Sequence, residues 1–103
     1  MAIAFANLGT SANPDIVNSS AASSYANTSW TPPTSGLIIV GVAGRNAAGS
    51  NTPTISGNGL TWTPITNVAI ATVHKLTLFG ANASGSSAGV TTISFGGQTQ
   101  VYC

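Results

Sequence analysis

Short apolar runs, each ended by a residue that breaks regular structure, constrain this chain more than any other feature. The longest run, residues 37–43 (LIIVGVA), is rich in β-branched side chains. It has the length of a β-strand and falls far short of the ~20 apolar residues that a membrane-spanning helix needs. An apolar run without alternation is typical of a strand covered on both sides. We therefore predict that residues 37–43 form a central strand buried on both faces.

Further strand-like segments follow one another along the chain, bounded by Gly, Pro, Asn or Ser. They are residues 1–13, 54–56, 60–65, 73–79, 90–95 and 98–103. Several of them alternate between apolar and polar side chains, which is typical of strands, and no segment shows a sustained helical period. We therefore predict an all-β fold, a single antiparallel β-sandwich, jelly-roll-like or Ig-like, with about six to eight short strands and almost no helix.

The alternation also predicts which side chains face inward. Leu60 and Trp62 share one face of their segment, and in residues 90–95 the inward residues should be Ile93 and Phe95. In residues 73–79, Leu76 and Leu78 are predicted on one face, with Lys75, Thr77 and Phe79 on the other. The turn residues Gly57-Asn58-Gly59 and Gly96-Gly97 tolerate positive φ and suit tight turns between strands.

One polar segment near the N-terminus leaves two interpretations open. Asn13-Pro14-Asp15 should end the first strand, because the residue before a proline leaves the helical region and Asp favours turns. Residues 14–29, rich in Ser, Ala and Asn, form either a surface strand with a loop or an arm that orders on a neighbouring subunit. In both interpretations residues 1–103 belong to one β-sandwich domain.

Charged side chains are nearly absent, since Asp15, Arg45 and Lys75 are the whole set. They make up 3% of the chain, against about 25% in an average soluble domain. A net charge of +1 gives no basic stripe for nucleic acid and no polybasic patch for a membrane. One Asp cannot supply a calcium site, and one Cys cannot supply a disulfide or a Cys-rich zinc site. We expect no metal and no other cofactor.

The sequence contains few residues that could act as catalytic acids, bases or nucleophile-activating groups: it has one His, one Asp and no Glu. His74 beside Lys75 is the one cluster of titratable groups, and a lone His without a carboxylate or thiol neighbour is more often a strand surface residue. A nucleophilic triad would have to bring a Ser or Cys together with His74 and Asp15, yet no Gly-x-Ser-x-Gly elbow is present. We expect a protein that is not an enzyme and has no catalytic residues.

Aromatic residues are the candidates for contact with a partner. Trp62, flanked by threonines, is predicted to pack in the core, whereas Trp30 beside two prolines is more open. Tyr25, Trp30 and Tyr102 are therefore the predicted surface or partner contacts. With nearby amides they could also serve a glycan- or host-surface-binding module, which is the alternative function. Cys103 is predicted to be a small buried apolar residue rather than a reactive thiol.

The low charge suits a permanently packed environment. Ser, Thr, Asn and Gly account for 48 of the 103 residues. Uncharged hydrogen-bonding groups can be buried at a contact without the desolvation penalty of an ion. Repeated copies in a symmetric shell or tube would fit, because valency multiplies each weak contact.

Four stretches resemble β-sandwich proteins encoded among the structural genes of tailed bacteriophages. They are residues 31–45 (TPPTSGLIIVGVAGR), 56–63 (SGNGLTWT), 75–79 (KLTLF) and 87–97 (SAGVTTISFGG). The resemblance implies a non-enzymatic virion structural protein, packed in many copies on a capsid or tail as a decoration, cement or tail-associated protein. It implies copies of the chain and other virion proteins as partners, without nucleic acid or membrane. No catalytic residue comes with it.

The two ends of the sequence carry expectations of their own. Relatives of this type usually continue with further strands after the segment that matches residues 99–103. Here the chain stops there, as a short version, as a fragment, or with the missing edge pairing supplied by a partner subunit. At the other end, residues 1–6 (MAIAFA) lack a basic n-region and the apolar run stops at Asn7. We therefore expect no signal peptide, and synthesis in the host cytoplasm before incorporation into the virion.

Overall fold

The computed structural model describes residues 21–103, which form two antiparallel three-stranded sheets and contain no helix. The strands are β1 (Ser24–Ala26), β2 (Leu37–Arg45), β3 (Thr54–Gly57), β4 (Thr63–Ile70), β5 (His74–Asn82) and β6 (Thr91–Ser94). The strand order is β1-β6-β3 in one sheet and β2-β5-β4 in the other. The predicted all-β antiparallel sandwich is confirmed. The strand expected within residues 1–13 lies outside the described residues.

The hydrophobic core is formed by side chains from both sheets. Its buried members are Tyr25, Val42, Phe79, Ile93 and Phe95. The rings of Tyr25 and Phe95 meet edge to face with their centroids 6.2 Å apart, a favourable aromatic geometry. Trp62 is partly buried and packs against this cluster. The inward positions predicted for Ile93, Phe95 and Trp62 are therefore confirmed.

A neutral polar network lies beside this core. Gln100 is fully buried. Its Oε1 accepts a hydrogen bond from Ser50 Oγ at 2.7 Å, and its Nε2 donates to Oε1 of Gln98 at 2.8 Å. Gln98 in turn donates to the carbonyl oxygen of Gly49 at 2.9 Å. The network ties the loop after β2 to the C-terminal segment with uncharged groups, so no ion is desolvated there.

The prediction for β2 was wrong in one respect. Only one of its faces is buried rather than both, and among the six described strands it lies at the edge of its sheet. Ile38 and Val42 are buried, whereas Leu37 and Ile39 are 74% and 51% exposed. A strand with apolar side chains on both of its faces is buried on both only when other parts of the protein pack against both faces of its sheet.

β4 and β5 extend further than the sequence patterns predicted. The predicted segment 60–65 begins too early, since β4 starts at Thr63. Leu60 still belongs to the 57–59 turn, where its backbone N donates to Gly57 O at 3.2 Å. All eight residues of β4 are exposed, and a β-bulge between Pro64 and Thr66 leaves Ile65 as the extra residue. β5 continues beyond Phe79 through small residues that carry no strand signal.

The terminal segments that the structure describes join the sandwich. β1 pairs with β6 of the same chain, with Tyr25 opposite Ile93, so this part of the 14–29 segment belongs to the chain's own sheet. Residues 14–20 of that segment lie outside the described residues. The strand predicted over residues 98–103 is reduced to isolated bridges, in which Gln100 pairs with Ala22 and Tyr102 with Arg45.

Candidate functional site

The face of the β2-β5-β4 sheet that points away from the core is apolar along most of its length. We call it the outer face, and it consists of Leu37, Ile39, Gly41, Ala43, Ile65, Thr66, Val68, Ile70, Leu76, Leu78 and Gly80. Strand alternation requires this arrangement, because the intervening residues Val42 and Phe79 point into the core. The exposed fractions of Ile39, Val68 and Ile70 are 51%, 52% and 54%.

Glycines shape the outer face by letting long aliphatic side chains lie across it. A Cβ atom at Gly80 would lie 3.1 Å from Cδ1 of Ile65 and 3.6 Å from Cδ1 of Ile39. A Cβ atom at Gly41 would lie 3.4 Å from Cδ2 of Leu78. The bulge in β4 therefore has a structural effect, because it carries Ile65 over the gap at Gly80 and extends the aliphatic layer across the strands.

The outer face is similar in size to the largest apolar patch of a typical soluble monomer. Nine residues of β2 at about 3.3 Å each, and three strands about 4.8 Å apart, give a footprint of roughly 400 Å². The largest apolar patch on a typical soluble monomer is about 300–600 Å², and such patches often mark interaction sites. The footprint therefore makes this face the strongest candidate for contact with a partner among the described residues.

Polar groups close the outer face at one end. Arg45 and His74 are paired across β2 and β5. Nε2 of His74 lies 2.9 Å from the hydroxyl of Tyr102, and the backbone N of Arg45 donates to Tyr102 O at 3.3 Å. Lys75 lies on the other face of β5 from His74, and its Nζ donates to Oγ1 of Thr52 at 3.0 Å. Lys75 thus has a neutral partner, and Asp15, the one acidic residue of the chain, lies outside the described residues.

An open cavity of about 340 Å³ lies at the same end. Ala43, Ile70, Leu76, His74 and Tyr102 are among its lining residues, so most of its wall is aliphatic. Residues 21–103 hold no group of three or more His, Cys, Asp or Glu side chains that could bind a metal ion. The cavity is best described as a recess at the edge of the outer face.

Trp30 belongs to a hydrogen-bond cluster inside the domain. Its indole N–H donates to Oγ1 of Thr91 at 2.9 Å, and the Thr91 hydroxyl donates to Oδ1 of Asn58 at 2.7 Å. Nδ2 of Asn58 lies 3.0–3.3 Å from the carbonyl oxygens of Trp30, Ser87 and Gly89. The SGNGLTW stretch therefore has a structural role, because its Asn58 joins three loops.

The three predicted contact residues have different surroundings. Tyr25 is 2% exposed and its hydroxyl donates to Gln100 O at 3.3 Å, so the expectation of a surface position is corrected to a core position. Its Ser/Ala-rich neighbours gave no sign that its strand has a buried face. Trp30 is partly buried, and Tyr102 is 38% exposed at the end of the outer face. A partner contact through Trp30 or Tyr102 stays a prediction.

Cys103 is half-buried and packs against the hydrophobic core, as predicted for a small apolar residue. Desolvation by burial raises the pKa of its thiol, because the buried surroundings disfavour the thiolate. At neutral pH the side chain is therefore held in its less nucleophilic form.

The residues that make up the outer face were not among the predicted site residues. Their one sequence signal is a lack of charge across β4 (TPITNVAI), where an exposed edge strand would ordinarily carry Lys or Glu. The lack of charge can be interpreted as a sign of an interaction surface only once the strand order places β4 at the edge of its sheet.

No helix within residues 21–103 is long and apolar enough to cross a membrane. Comparison of the chain with models of protein families, with curated proteins and with solved structures finds no match.

Proposed function

We propose that this chain is a non-enzymatic structural protein of a phage virion, packed in many copies on the capsid or tail as a decoration or tail-associated protein. The observation that carries the proposal is the outer face, an exposed aliphatic surface without charge across most of its extent. Such a surface favours association with protein, because burying it removes apolar area from water.

The rest of the described surface supports the same setting. Among the described strands β4 lies at the edge of its sheet, is exposed over its whole length and carries no charged residue, so its protection against association is limited to Pro64 and the bulge at Ile65. A particle component that is always packed needs less of this protection than a freely diffusing protein. Multiple copies on a symmetric particle would also convert weak contacts into stable attachment.

The glycan-binding alternative has less support from the described residues. Stacking on a sugar requires an accessible aromatic ring with free polar groups beside it. The Trp30 indole N–H is already bonded to Thr91, and Tyr25 is buried. Tyr102 is exposed, but its hydroxyl lies against His74. The virion role is therefore the one we propose.

Particle attachment tests this proposal directly. Virions of the phage that encodes the chain would be purified on a density gradient, washed in about 1 M salt, where the Debye length is only ~3 Å, and examined for the chain by mass spectrometry. We expect the chain to stay in the particle fraction at many copies per virion, because apolar contacts resist salt. A chain found only outside the particle, together with glycan-array binding by the free protein, would overturn the proposal.

A further inference from the structure

The outer face is exposed among the described residues, and its chemistry restricts what can cover it. We infer that the outer face docks the outer face of a second copy of this chain, related by a two-fold axis. The inference rests on the proposed function for its setting, since it names the surface that joins neighbouring copies. It commits to one partner, a second copy of the same protein.

Self-complementarity is the first argument for a second copy. A two-fold contact places the same patch on both sides, so the patch must tolerate itself. Aliphatic side chains such as Ile39, Ile65 and Val68 meet this condition, because like apolar groups attract each other in water. A strongly charged partner would find little opposite charge on this face, where Arg45 lies at one end only.

The position of those end groups selects the orientation of the two copies. With the axis in the interface and perpendicular to the strands, Arg45 of one copy lies at the opposite end from Arg45 of the other. The separation is then on the order of 30 Å, the length of β2, which exceeds the ~8 Å Debye length at physiological salt. With the axis parallel to the strands, the two cations would approach each other. The antiparallel arrangement is therefore favoured.

The area predicts how tight this contact is. Two footprints of roughly 400 Å² give about 800 Å² in total, below the 1,200–2,000 Å² of a standard stable interface. Side chains that protrude from the sheets, and Tyr102 at the rim, add accessible surface beyond the flat footprint. The total stays in the class of weak, transient interfaces. We expect a dimer with a dissociation constant in the micromolar range or weaker, which attachment to a particle would reinforce.

Two neighbouring substitutions in β4 provide a matched test. Val68 pairs with Leu76 on the outer face, and Asn67 pairs with Thr77 on the opposite side of the strand. Both residues are exposed, so Val68→Lys and Asn67→Lys add the same charge to the same strand with little effect on the described core. A contact through the outer face distinguishes the two variants, whereas pairing along the β4 edge would be affected by both.

The experiment is sedimentation velocity of the purified full chain from about 10 μM to about 1 mM, the range that brackets a weak dimer. We expect the wild-type mass to rise toward twice the monomer mass, Val68→Lys to raise the dissociation constant at least about tenfold, and Asn67→Lys to change it less than about threefold. Thermal unfolding verifies that both variants fold. Val68→Thr, which keeps the β-branched shape, should weaken the dimer to an intermediate extent.

A wild-type chain that stays monomeric over the whole range would overturn the inference, and so would equal weakening by Val68→Lys and Asn67→Lys. If the monomeric chain still attaches to virions and Val68→Lys abolishes attachment, another virion protein covers the face, and the proposed function survives while the inference fails. If the chain dimerises through the outer face but is absent from virions, the inference survives while the proposed function fails.

Discussion

Substituting Asn58 by glycine and by alanine should separate two ways in which this residue stabilises the fold. Its side chain is buried and makes the hydrogen bonds that join the loops around Trp30 and Thr91. Its backbone has a φ of 59°, in the left-handed region where Asn is tolerated better than most residues. Asn58→Gly removes the side chain but accepts this φ, whereas Asn58→Ala removes the side chain and strains the backbone.

The magnitude follows from the contacts. The amide supplies two donors and one acceptor, and three hydrogen bonds at about 1 kcal/mol each predict a loss of about 3 kcal/mol for Asn58→Gly. The carbonyls of Trp30 and Gly89 keep each other's backbone N–H as donors, which holds the loss near this value. Asn58→Ala keeps a β-carbon in the left-handed region, which Asn58→Gly lacks, so the alanine variant should be about 1–2 kcal/mol less stable than the glycine variant.

The assay is urea unfolding followed by tryptophan fluorescence, since Trp30 bonds within this cluster and Trp62 donates to Gly57 O next to it. A domain of this length has a total stability of about 5–15 kcal/mol, so both losses should be large fractions of it. An Asn58→Gly variant within about 0.5 kcal/mol of wild type would refute the role of the cluster. Equal stability of the glycine and alanine variants would refute the role of the positive φ.

Two further predictions concern single side chains. The Thr77 hydroxyl is fully buried and has no hydrogen-bond partner among the described residues, so Thr77→Val should raise the free energy of unfolding by about 1 kcal/mol in the same urea assay; a lower stability would contradict this reasoning. Burial raises the pKa of the Cys103 thiol, so iodoacetamide should alkylate the folded chain more slowly than the urea-unfolded chain at pH 8, and equal rates would contradict it. Because the folded state holds this proton more tightly, the thiol's contribution to stability should be fully present below the unfolded pKa and lost as the pH rises through the folded pKa.

Period-two alternation predicted strands well where one face is covered and the other is not. In β5 it correctly separated Leu76 and Leu78 from Thr77 and Phe79. In β4 it failed, because the bulge at Ile65 breaks the period and places apolar residues three apart rather than two. A bulge is set by pairing with the neighbouring strand, and a local pattern does not contain that information.

The candidate site was harder to predict than the fold. Residues 57–59 were identified as a turn from local composition, and all three have positive φ. The bonds of Asn58 to Trp30 and Thr91 bridge 28 and 33 positions along the chain, so no local pattern indicates them. The exposure of Leu37 and Ile39 depends on what the rest of the chain covers. For the same reason, an apolar run alone could not distinguish a buried centre from an exposed outer face.

The strand order of the smaller sheet bears on how the protein is synthesised. β6 lies between β1 and β3, and it is the last of the six described strands to leave the ribosome. β1 cannot pair until Ile93, which lies opposite Tyr25 and 68 positions later in the chain, has been synthesised. Until then β2, β4 and β5 can pair with each other, but neither face of their sheet is covered by the second sheet. The nascent chain therefore exposes the apolar residues of both faces of this sheet until β6 is synthesised, and in that interval folding competes with aggregation between neighbouring chains on the same message.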